Sequence, residues 1–120
     1  MLEPDPRWYE TLADVDAETW VAWRDPFLYR HEAEDACYAY ITATERADRP
    51  RHERGCIGLA RSRDMVHWEA LPPAAAPGLY HDHEVPHLFE LQGRWYLLHS
   101  TTLWRYSQPA RERKPQRWCR

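Results

Sequence analysis

Glu84-Val85-Pro86-His87-Leu88-Phe89-Glu90-Leu91 is followed by Gln92-Gly93 and then by Arg94-Trp95-Tyr96-Leu97-Leu98-His99-Ser100. Aromatic and aliphatic residues fill both runs, and the Gly-containing pair between them is a tight-turn signal, so the stretch reads as a hairpin. Upstream lies a stretch of the same make. Asp25-Pro26-Phe27-Leu28-Tyr29-Arg30 is short and apolar, His31 to Asp35 is a polar turn, and Ala36-Cys37-Tyr38-Ala39-Tyr40-Ile41-Thr42-Ala43-Thr44 is rich in strand formers. In both places an acidic residue and a Pro open an apolar strand, and a strand with paired aromatics follows the turn. Asp25 and Glu84, 59 positions apart, take equivalent places in this repeat.

Two more strands complete the earlier unit. Gly55 to Ser62 is one and Val66 to Leu71 the other, with a polar loop from Ala47 to Arg54 before them and a Pro- and Ala-rich link from Pro72 to Gly78 after. Four short antiparallel strands, repeated at this scale, are the signature of propeller blades. The expected fold is therefore all-β: a partial β-propeller with one full four-stranded blade over residues 24–78 and part of a second over 79–104. Residues 1–23 read as an opening loop with one short helix, on the weak helical spacing between Trp8 and Trp20. Residues 105–120 read as a basic, disordered tail. A lone blade cannot bury both faces, and exposed strand edges invite pairing, so a homo-oligomer is expected.

Composition narrows the function classes. Seven Trp and seven Tyr against two Phe favour rings with a polar edge, suited to half-buried sheets and sugar-stacking clefts. The formal charge of −3 sets no strong electrostatic field, and the basic tail carries no nucleic-acid motif, so no nucleic-acid partner is expected. No apolar run is long enough to span a membrane. Met1 to Pro6 has neither a basic nor an apolar leader region, from which a cytoplasmic location is expected. Three Cys (Cys37, Cys56 and Cys119) show no metal-type spacing, and the first two fall in strands as small apolar fillers. Four Gly leave little room for a phosphate-cradling loop, and no cofactor is expected.

The chemistry lies in the acids. Glycoside cleavage needs two carboxyl groups flanking the scissile bond, one to protonate the leaving oxygen and one to attack or to activate water. The innermost strand of a blade points at the central funnel, and Asp25 and Glu84 each open such a strand.

Trp23-Arg24-Asp25-Pro26 resembles the Arg-Asp-Pro motif of glycoside hydrolase family 32 and its levansucrase-type relatives, which are five-bladed β-propellers. Ser62-Arg63-Asp64-Met65-Val66-His67-Trp68 resembles the segment that ends the blade there, and His83-Glu84-Val85-Pro86 falls where those enzymes carry their catalytic Glu. The resemblance covers roughly residues 20–102. It implies a fructoside-acting retaining hydrolase with sucrose or fructans as substrate. By the same resemblance Asp25 stabilises the transition state, Glu84 is the general acid/base with its pKa raised by burial or a neighbouring carboxylate, and Arg24 and Trp23 bind substrate or orient a carboxylate.

One element of the pattern is missing. The nucleophilic Asp of a Trp-x-Asn-Asp-Pro motif should precede Trp23, and Asp5-Pro6 lacks its Asn. Two alternatives therefore stand beside the hydrolase: a non-catalytic carbohydrate-binding or assembly remnant, and an inverting propeller glycosidase of the arabinan or xylan type. His83-Glu84-Val85-Pro86-His87 also spells a zinc-protease pattern, but that pattern needs a helix, which Pro86 would break. His81, His83 and His87 have the same parity on a strand and could share a face, although no metal site is assigned to them.

Overall fold

The computed structural model describes residues 2–16 and 19–113. It is all-β in its regular structure, with six antiparallel strands in two sheets. The first sheet is a meander of β1 (Trp23–His31), β2 (Ala36–Thr44), β3 (Gly55–Ser62) and β4 (Glu69–Ala75). The second pairs β5 (Glu84–Leu91) with β6 (Arg94–Ser100). Gln92 and Gly93 turn between them with φ of 54° and 73°, the left-handed pair that a two-residue hairpin requires.

β2, β3, β5 and β6 fall on the residues whose composition marks them, and β1 extends beyond the expected Asp25–Arg30 at both ends. The strand that departs is β4. Expected over Val66–Leu71, β4 begins at Glu69 and runs through Pro72 and Pro73. The cause lies in the preceding turn, where Asp64 Oδ1 accepts from the backbone N–H of Val66 (2.9 Å) and His67 (2.7 Å). Ser62 Oγ accepts from Met65 N at 2.9 Å. The turn thus holds those residues out of the sheet until Trp68, and the two prolines are tolerated because β4 is an edge strand.

The core lies on one face of the first sheet. Ala39, Ile41 and Ala60 form one buried cluster and Tyr9, Ala43 and Cys56 another, and Trp23 packs against both. Tyr9 comes from the opening segment, which folds back over the blade. Its hydroxyl donates to Leu71 O and accepts from Leu59 N, so one phenol spans β3 and β4. Among the described residues of that segment, regular helix is confined to a single 3-10 turn, Leu12–Asp14.

The second sheet sits against β1 and β2 through β5. Gly55 N donates to Tyr80 O at 3.0 Å, and Thr42 Oγ1 donates to His83 O at 3.1 Å. A Cβ on Gly55 would lie 2.6 Å from the backbone of Tyr80 and His81, so this junction accepts only glycine. Within the stretch 105–120, expected as a basic, disordered tail, the described residues 105–113 take regular structure. Tyr106 bridges Tyr80, Ser107 N and Oγ both donate to Leu79 O, and helix α1 covers Gln108–Arg113. Ser107 and Ala110 are buried. Cys119 and the basic residues Lys114, Arg117 and Arg120 lie outside the described residues.

Candidate functional site

Both inner strands begin with the same irregularity. In β1, Arg24 pairs with Thr42 and Phe27 with Tyr40, so Asp25 and Pro26 together face Ile41. In β5, Glu84 pairs with Ser100 and His87 with Leu98, so Val85 and Pro86 together face His99. These are β-bulges, which turn the side chains beside them away from the regular pleat. The bulged residues preceding the prolines, Asp25 and Val85, have φ of 55° and 50°. A β-branched residue in the left-handed region is strained, and such strain concentrates where a strand aims functional groups.

The bulges correct the sequence repeat by one residue. Pro26 corresponds to Pro86, Asp25 to Val85, and Arg24 to Glu84. The two acids are therefore not equivalent; the equivalent pair is a cation and an anion. That pair is in contact, with Arg24 Nη2 donating to Glu84 Oε1 at 2.9 Å. The next equivalent pair also touches, the rings of Phe27 and His87 lying 4.4 Å apart.

Arg24 gathers the acids. Its Nε lies 3.6 Å from Asp25 Oδ2 and its Nη2 lies 3.9 Å from Asp82 Oδ1. Among the described residues it is the side chain that links Asp25, Asp82 and Glu84. Asp25 and Glu84 retain partial access to solvent, whereas Asp82 has none. Asp82 is ion-paired to Arg105 and stands 3.2 Å from His81 Nδ1. Burial, together with the cations of Arg51 and Arg105, holds His81 below the usual histidine range.

Asp82 and Arg105 were not legible as site residues. Asp82 sits two positions before Glu84 without a motif of its own, and Arg105 opens the stretch taken for a tail. Trp23, expected beside the substrate, is partly buried and packs against the core. Its ring lies 4.8 Å from that of Tyr9, and its Nε1 donates to Leu2 O at 3.2 Å. Adjacent strand residues face opposite ways, so turning Arg24 to the acids turns Trp23 inward.

The histidines diverge. His83 is 1% exposed, with the tilted ring of His99 4.2 Å away and the ring of Tyr80 edge-on to it at 5.3 Å. Burial, with His99 beside it, pushes its pKa down to about 3. His87 lies on Phe27, and His81 on Asp82. The segment is extended rather than helical, which removes the zinc-protease geometry. Among the described residues no group of three His, Cys, Asp or Glu is arranged to hold a metal ion.

An inulosucrase from Halalkalicoccus jeotgali, solved with kestose bound, superposes on 89% of this chain with a TM-score of 0.73 and 24% sequence identity. The likeness is one of fold. The chain spans 29% of the inulosucrase chain, well under a third of its length. No family model matches the chain, and no curated protein matches it. The shared fold is compatible with the partial propeller expected from the sequence repeat.

Proposed function

We propose that this chain is part of a five-bladed β-propeller that acts on fructosides, with Glu84 as general acid/base and Asp25 as stabiliser of positive charge at the anomeric carbon. The observation that carries this reading is the Arg24 bridge, which holds the carboxylates opening two successive inner strands beside one guanidinium. A retaining cleavage asks Glu84 to protonate the leaving oxygen while Asp25 faces the oxocarbenium-like sugar. Arg24 orients both groups, and its planar fork suits carboxylates better than a lysine would. The inulosucrase-like fold supports a fructosyl substrate over an arabinan or xylan chain.

A second reading follows from Asp82. It is the third acid near Arg24, but burial and the Arg105 ion pair remove it from the role of nucleophile. A chain that binds sugar without turning it over fits that arrangement. Sugar release from sucrose, inulin, levan and arabinan, compared between the wild type and Glu84→Gln, separates the two. Release that vanishes in the variant supports the enzyme; folded protein that binds fructan and releases nothing supports the binding module.

A further inference from the structure

Beyond the acids, a recess is lined by Thr19, Trp20, Arg51, His52, His81, Trp104 and Arg105. Trp20 is 59% exposed and Trp104 is 77% exposed, although an indole ring gains more from burial than most side chains. The two rings come from opposite ends of the chain, one before β1 and one after β6. They meet at the same recess because the Tyr80–Tyr106 bridge and the Arg105–Asp82 ion pair hold the later segment against the blade junction.

The recess looks basic in composition, yet its charges are already answered. Arg51 donates to Glu10 Oε2 at 2.8 Å and to Trp20 O at 3.0 Å. Arg105 is ion-paired to Asp82, and His81 is held toward its neutral form. What remains is two apolar ring faces bordered by N–H donors whose charge is balanced. An anion would have to displace the carboxylates, whereas a neutral polyhydroxylated ring can stack on indole and accept hydrogen bonds from the donors.

The recess also adjoins the acids. Trp20 lines a neighbouring hollow with Val21 and Arg24, and Arg105 and His81 both touch Asp82, which stands beside Arg24. We infer that Trp20 and Trp104 form a subsite for a neutral sugar unit further along an oligosaccharide than the one held at Asp25 and Glu84, so that the chain prefers oligosaccharides to sucrose. This inference rests on the fructoside reading for the identity of the sugar, but not for the existence of the subsite.

The test is binding of sucrose, of a fructo-oligosaccharide of about five units and of inorganic phosphate, by calorimetry and by tryptophan fluorescence. The proteins compared are the wild type, Trp20→Ala, Trp104→Ala, Trp104→Phe and Glu84→Gln. Each alanine variant should weaken oligosaccharide binding about tenfold and leave sucrose binding within about twofold, and Trp104→Phe should restore most of the loss. Glu84→Gln, which changes the site shared by both sugars, should alter sucrose and oligosaccharide binding by the same factor. Equal losses for both sugars in the alanine variants, or tryptophan quenching by phosphate alone, would overturn the subsite. Ring-dependent oligosaccharide binding without sugar release would keep the subsite and remove the enzyme. Both tryptophans are exposed, so unchanged thermal unfolding confirms that the variants read binding rather than folding.

Discussion

Arg24 and Glu84 occupy the same register position in two successive sheets and bond to each other at 2.9 Å. A repeated backbone has placed a cation in one copy and an anion in the other, and the bulges aim them together. Arg24→Ala should therefore reduce sugar binding or turnover far more than it reduces stability. The pair is partly exposed, so its loss should cost no more than about 1 kcal/mol of folding free energy. Arg24→Lys, which keeps the charge and loses the fork, should fall between. Thermal unfolding alongside sugar-binding titrations would show the split; parallel losses in both would make Arg24 merely structural.

Asp82 is the site's costliest residue. It is fully buried, and Arg105 is its ion-pair partner together with His81. Arg105→Ala should cost about 3 kcal/mol, because it strands a carboxylate away from water. Asp82→Asn combined with Arg105→Ala should cost clearly less than the two single changes added. Denaturant unfolding of the four proteins gives the coupling directly.

Stability should fall as pH drops below neutrality. His83, buried against His99, has a folded pKa of about 3 against an ordinary 6.5. A depressed histidine binds its proton more readily in the unfolded chain. Its contribution is therefore complete above about pH 6.5 and is lost progressively toward pH 3, with about 2 kcal/mol gone at pH 5. His99 is depressed in the same direction by burial. Asp64, held below the usual carboxylate range by His67 and backbone N–H groups, loses its contribution only below about pH 4. Unfolding between pH 5 and 7 thus isolates the histidines, and His83→Phe should flatten the profile there.

Much of this was legible in the chain, and the rest was hidden for definite reasons. β2, β3, β5 and β6 stand out because their aromatic and branched residues are bounded by polar turns. The bulges leave no compositional mark, so counting from acid to acid gave a repeat of 59 where the backbone repeats every 60. Asp64 extended a turn that looked like strand. The segment from Arg105 onward looked disordered because its anchors, Asp82 and Leu79, lie more than twenty residues earlier. Local charge cannot reveal a partner at that distance.

Gly55→Ala should loosen the junction between the sheets. Its Cβ would strike the backbone of Tyr80 and His81, so one sheet must move, at about 1–3 kcal/mol. The displacement would carry Glu84 away from Arg24, and sugar affinity should drop with stability. A variant as stable as the wild type would show that the junction already breathes.

The exposed face of the second sheet should drive association. Leu91, Tyr96 and Leu98 fall on one face of the hairpin and are all exposed there. A second copy pairing through this face should appear as a dimer in light scattering, and Leu98→Lys should shift it to monomer. A wild-type chain that stays monomeric at high concentration would exclude that pairing.

Tyr9 has a bearing on how the chain reaches this state. Its hydroxyl joins residues 50 and 62 positions further along, yet the meander it fastens is built from neighbours in sequence. Local hairpins close quickly, whereas a tether across so long a loop must wait until both distant strands are in place. Residues made before the blade would thus dock after it. In unfolding the order reverses: release of that phenol frees the outer strand first, and the lifetime of the blade is set at its oldest end.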